Sequence, residues 1–183
     1  RGAFGHLLRH QRVDLDAIVG DAGITMPALV WRDGEVAEDT IRFSRIICAI
    51  AEPIRGEGGV EVVASELLAR LARYEFPLII DEIQCGLGRS GQFLASHPVR
   101  GHYYLLGKSL GGGVAKISAT LIDRARYVDR FDDYYAGTFA GDAFSCSVAS
   151  AVLDVIERDD IARRAHDRGA EIARRLVRIR HDF

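Results

Sequence analysis

Two apolar runs frame the chain. Ile46 to Ala51 ("IICAIA") is too apolar to face water on either side, and Leu78 to Ile80 ("LII") repeats the pattern. The first ends at Glu52 and the second at Asp81 and Glu82. Short apolar runs that break at Pro53 or at glycine-rich turns read as buried parallel strands with their exit loops. Between them, "SELLARLARYEF" sets Leu67, Leu68, Leu71 and Tyr74 at helical spacing behind Ser65 as N-cap, which predicts an amphipathic helix. Tyr103 to Leu106 predicts a third strand running into Lys108, and "KISATLID" a fourth. Upstream, the apolar segment Ala28 to Trp31 meets the turn chemistry of "RDGE". From Ala143 onward, small and apolar residues recur at helical intervals and predict one long helix leading away from the sheet. The succession of strand, helix, strand, loop and strand predicts an α/β fold with a mainly parallel sheet. Such sheets bind ligands at the carboxyl ends of their strands, which is where Glu52, Asp81, Glu82 and Lys108 fall.

Composition narrows the classes of partner. The 183 residues are 48% hydrophobic and 27% charged, an ordinary globular balance that allows one domain and part of a second. With 24 basic and 26 acidic side chains the net charge is −2, so no nucleic acid or membrane partner is expected and a small-molecule substrate is the default. Cys48, Cys85 and Cys146 form no CxxC pair, and the six histidines lack metal-ligand spacing. Neither a disulfide framework nor a metal site is expected, and a reducing cytoplasm fits. No apolar run approaches the roughly 20 residues of a membrane helix, and the first residues, "RGAFGHLLRHQR", lack the pattern of a secretory signal. The absence of an initiating Met, and a helical pattern that reaches the last residues without a stop, lead us to expect part of a longer protein.

The stretch "LLGKSLGGG" admits three readings for Lys108. A phosphate-binding loop needs G-x-x-x-x-G-K-[ST]. Here five residues separate Gly101 from Gly107, and most of the glycines follow the lysine. A solvated surface lysine is the plainest alternative. The third is a covalent nucleophile, which a partly buried strand end favours by penalising the charged amine. An aspartate nearby, such as Asp81, could then hold a protonated ring nitrogen, the arrangement expected around pyridoxal phosphate.

Four segments taken together, "AIAEPIRGEGGV", "PLIIDEIQCGLGRSGQF", "LLGKSLGGG" and "AGTFAGDAFSCSVASAVLDVIE", resemble the successive signatures of the class III pyridoxal-phosphate aminotransferases, the ornithine, acetylornithine and ω-amino-acid group. The resemblance implies the large domain of the pyridoxal-phosphate-dependent transferases of fold type I. Residues 1–142 would be the central part of that domain, and 143–183 a long helix toward a C-terminal small domain. It implies a transaminase that moves an amino group between an amine or amino acid and a 2-oxo acid, acting as a cytoplasmic homodimer. Lys108 would carry the cofactor as a Schiff base and shuttle the proton. Asp81 would pair with the pyridinium nitrogen, and Gln84 would lie by the ring hydroxyl. Thr138 would reach the cofactor phosphate of the neighbouring subunit, and Glu57 matches a glutamate that neutralises a substrate-recognising arginine in some members. An aminomutase, racemase or lyase of the same fold would keep the same lysine and aspartate. A module without catalytic activity of its own is the remaining alternative. Arg55 stands where glutamine is common, "TFAGDAF" replaces "TFGGNPL", and nothing in residues 1–44 resembles the family's phosphate-binding turn.

Overall fold

The computed structural model describes residues 31–32, 35–36, 46–57, 59–129 and 137–181. Its centre is a four-stranded sheet built from β3 (Ala49–Ala51), β6 (Leu78–Asp81), β7 (Tyr103–Leu106) and β8 (Ala119–Ile122), in the spatial order β3-β6-β7-β8. The first two pairings are parallel and the last is antiparallel, so the expected mainly parallel sheet is present. Two small antiparallel pairs accompany it: β1 (Trp31–Arg32) with β2 (Glu35–Val36), and β4 (Ile54–Arg55) with β5 (Glu61–Val62). Of the apolar segment expected at 28–31, only Trp31 lies within the described residues.

A parallel pair needs a crossover, and α1 (Ser65–Leu71) provides the helical part of the one between β3 and β6. Its Leu71 joins Ala49, Leu78 and Ile80 in the first core cluster, with Leu67, Tyr74, Phe76 and Tyr104 packed around them. Leu78 and Ile80 are fully buried, each contributing about 1.5–3 kcal/mol relative to exposure. Ser65 is the first helical residue and not the cap. The cap position is Ala64, whose carbonyl accepts from the N–H groups of Leu67 and Leu68 with no side-chain cap bond.

The run from Ile46 departs from expectation in a second respect. Only Ala49–Ala51 pair as a strand, with Ile47 64% and Ile50 40% exposed. β3 is an outer strand of the sheet, so Ala49 and Ala51 turn into the core while Ile50, on the alternate face, meets no covering layer among the described residues.

The helix expected over 143–183 is two helices, α2 (Ala143–Arg158) and α3 (Ile161–His181). The Asp142 carboxylate caps α2 by accepting the N–H of Ser145 at 2.8 Å. The break falls at Asp159 and Asp160, where Asp160 takes a left-handed φ of 47°, a conformation that aspartate tolerates better than most residues. Its carboxylate then accepts from Arg163 in the first turn of α3. Ala149 of α2 packs with Leu87, Leu106 and Leu110 in a second core cluster. Cys85 is buried as expected of a packing residue, whereas Cys146 is exposed because its position on α2 faces away from that cluster.

Candidate active site

Three of the expected residues meet where β6 and β7 end. Asp81, the last residue of β6, is 5% exposed, and its Oδ1 accepts the N–H of Ile83 at 3.0 Å. Burial pushes its carboxyl above the usual carboxylate range, opposed by the Ile83 N–H. The charges of Glu52 and Glu82 add to the rise, and Lys108 works against it. The neighbouring Glu82 has a structural task, as expected: its carboxylate accepts the N–H groups of Ala95 at 3.0 Å and Ser96 at 2.8 Å, and the Cys85 thiol at 3.3 Å. Burial, with the Glu82 charge, pushes the Cys85 thiol up to about 12, so it stays protonated and unreactive near neutral pH. Glu52, also expected to be structural, is buried just beyond β3.

Register places Asp81 opposite Leu105, so Lys108 emerges three residues further along β7's path. It opens a 3-10 turn, Lys108–Gly111, with a left-handed φ of 48° that costs a non-glycine residue about 1–2 kcal/mol. Burial of Leu110 against Ala149 of α2 holds that turn in place. The Lys108 ammonium donates from Nζ to Gln84 Oε1 at 2.8 Å. Because Tyr103–Leu106 is a strand and Gly107 is extended, no phosphate-cradling loop precedes the lysine, which removes the nucleotide reading.

Gln84 begins a glycine-rich loop seated against α3. A Cβ on Gly88 would lie 3.3 Å from the Ala162 nitrogen, and one on Gly91 3.0 Å from the His166 Cβ. Both glycines have left-handed φ, at 88° and 94°. Only glycine meets both demands without strain.

Lys108 borders two open cavities. One of about 280 Å³ is lined by Gln84, Arg89, Lys108 and Ser109. The other, of about 480 Å³, is lined by Lys108, Ala115, Lys116, Ile117 and Ser118. Arg89, Ser109 and Lys116 went unnoticed in the sequence, where nothing sets them apart from ordinary surface residues. Glu57 is exposed in the turn between β4 and β5, a hairpin bound across its strands by the Arg55–Glu61 ion pair. Thr138 is exposed in the turn before α2, and no hydrogen bond or ion pair among the described residues joins it to Lys108, Asp81 or Gln84.

With a lysine, a buried aspartate and a glutamine gathered at parallel strand ends, comparison with known proteins becomes decisive. Residues 34–183 match the aminotransferase class-III family. The chain belongs to that family. Ornithine aminotransferase 1 of Staphylococcus saprophyticus is 36% identical over 140 residues, which cover 73% of this chain and 36% of that protein. The mitochondrial ornithine aminotransferase of Arabidopsis thaliana is 35% identical over 145 residues, covering 76% of the chain and 30% of that protein. This class III chain thus spans about a third of the length of these relatives. Among solved structures, the ornithine aminotransferase of Toxoplasma gondii, which shows partial occupancy of PLP at its active site, superposes with a TM-score of 0.72 at 33% identity, covering 89% of this chain and 40% of that one. The acetylornithine aminotransferase of Elizabethkingia anophelis gives 0.73 at 27% identity, covering 87% and 43%. The fold is therefore that of the PLP-dependent aminotransferases. No helix among the described residues is long and apolar enough to cross a membrane.

Proposed function

We propose that this chain is the lysine-bearing core of a pyridoxal-phosphate (PLP) transaminase that moves an amino group between an amine or amino acid and a 2-oxo acid. The observation that carries the reading is the 2.8 Å contact of Lys108 Nζ with Gln84 Oε1, beside buried Asp81, in a class III chain. The donor set fits PLP: a primary amine bordering two cavities suits its aldehyde, and a buried carboxyl suits a cationic ring nitrogen. When bound, PLP supplies an electron sink for the carbanion formed beside the amino group.

The chain's own residues do the rest. Lys108 would hold the cofactor covalently and, once released, carry the proton at its Nζ. Burial alone disfavours charge on Asp81; a cation beside it restores the carboxylate, so the aspartate and a protonated ring stabilise each other. Gln84 would lie by the ring hydroxyl. Thr138 would serve the phosphate in the partner's site of a homodimer, and Glu57 would act in substrate recognition. Residues 1–142 would form the central part of the cofactor-binding domain, with α2 and α3 leading toward a smaller one. The free thiols Cys48, Cys85 and Cys146 fit a cytoplasmic setting. The names of the relatives make ornithine the first amino donor to assay, against a panel of 2-oxo acids.

The sequence contains only two lysines, Lys108 and Lys116, which makes the test a choice between two sites. The purified chain is mixed with PLP, reduced with borohydride and mapped by peptide mass. Label on Lys108, lost in Lys108→Ala, is the expected result. Label on Lys116, or an equal division between the two, would overturn the assignment.

A further inference from the structure

The turn that carries Glu57 also bears on Lys108, through a residue with no side chain. A Cβ built on Gly56 would lie 2.4 Å from Gln84 Nε2, 2.5 Å from Oε1 and 2.6 Å from Cδ. The space where a side chain would be is thus filled by the Gln84 carboxamide. Gly56 does not have a left-handed φ, so its backbone makes no demand for glycine. Only the close approach of Gln84 does. The same carboxamide oxygen accepts from Lys108 Nζ at 2.8 Å. Gly56, Gln84 and Lys108 therefore form one line of contact from the β4–β5 turn to the amine.

We propose that Gly56 is a positioning residue for Lys108: the room it leaves lets the Gln84 carboxamide hold the lysine ammonium at the cavity edge. This deepens the proposed function and rests on it for the importance of Lys108, while the contact itself can be tested apart from any cofactor. The clash created by Gly56→Ala falls on the far end of a flexible, exposed side chain, so Gln84 swings aside at little cost to folding. What is lost is its grip on the lysine. An amide oxygen accepts more strongly from an ammonium than from a neutral amine, so the grip holds Lys108 in its charged, unreactive form.

The experiment is competitive acylation at pH 8 with an amine-reactive ester, reading the ratio of label on Lys108 to label on Lys116 by peptide mass. Gln84→Ala is expected to raise that ratio roughly three- to tenfold, the effect of one hydrogen bond of ordinary strength. Gly56→Ala is expected to raise it equally, with the thermal midpoint of unfolding unchanged. In the Gln84→Ala background the side chain that Gly56→Ala would strike is gone, so the double variant should match Gln84→Ala alone. A Gly56→Ala ratio equal to that of the unmodified chain would overturn the proposal. So would a Gly56→Ala effect that persists in the Gln84→Ala background, because Gly56 would then act by another route. The PLP trapping described above fails separately: label on Lys116 there refutes the proposed function, whatever the acylation ratios show.

Discussion

Glu82 offers a sharp test of how the strand ends are held. It is 1% exposed, and its carboxylate is the acceptor for two backbone N–H groups, those of Ala95 and Ser96, from the far end of the loop that begins at Gln84. Glu82→Ala strands both donors in a site from which water is excluded. Each buried donor left without a partner costs about 1–3 kcal/mol, and removing the buried charge returns part of that by ending its desolvation. We expect a net loss of about 2–4 kcal/mol. Glu82→Gln keeps one acceptor oxygen but turns an NH2 group toward the other donor, so its loss should be about half as large. The assay is urea unfolding followed by circular dichroism, with the order unmodified chain, Glu82→Gln, Glu82→Ala in falling midpoint and an unchanged slope. A loss below about 0.5 kcal/mol for Glu82→Ala would refute the reasoning, since an orphaned buried pair of donors cannot be that cheap. Loosening of the loop should also lower the yield of PLP trapped on Lys108, because Gln84 lies at the loop's start.

Asp81→Asn should separate stability from cofactor binding. Because burial raises its carboxyl, Asp81 binds its proton more tightly folded than unfolded. Its contribution to stability is therefore complete below the unfolded value of about 3.9 and is lost as pH rises through the folded one. The asparagine variant should be at least as stable as the unmodified chain at pH 7, with the advantage shrinking toward pH 4. It should nevertheless bind PLP at least tenfold more weakly in a fluorescence titration, the loss expected for removing a hydrogen-bonded charge. A variant less stable at pH 7, or one with undiminished PLP affinity, contradicts this account. Ser96 Oγ is buried without a hydrogen-bond partner, so Ser96→Ala should be neutral or stabilise by up to about 1 kcal/mol in the same urea assay. A destabilisation above about 1 kcal/mol would show that the hydroxyl has a partner.

The elements legible in the sequence are those whose burial needs no knowledge of neighbours. Leu78–Asp81 and Tyr103–Leu106 sit inside the sheet, and their continuous apolar runs announce it. β3 misled because apolarity records what a strand can bury, whereas exposure of Ile50 depends on the sheet order. The β4–β5 hairpin escaped notice because strands of two residues carry no periodicity, and register and the Arg55–Glu61 pair define it only in three dimensions. The helix break was obscured by apolar spacing that continues across it. The left-handed turn at Asp160 interrupts the axis without interrupting the pattern.

In the site, Asp81 and Lys108 could be found because each polar residue follows an apolar strand, where burial forces it to have a purpose. Gln84 gained significance only from the motif around it, and the structure supplies the physical content, a hydrogen bond to the lysine. Gly56 lay beyond the reach of sequence reasoning, since the need for glycine there comes from a side chain 28 residues away and not from its own backbone. The balance of charge carries the argument furthest. Two neighbouring acids, Glu52 and Glu82, push the Asp81 carboxyl up, while Lys108 is the cation that acts against them. A site with acids crowded at one strand end favours an incoming positive charge and disfavours a second negative one. That is the electrostatic condition a protonated ring nitrogen requires, and it is met by three residues whose places were set by where the apolar strands end.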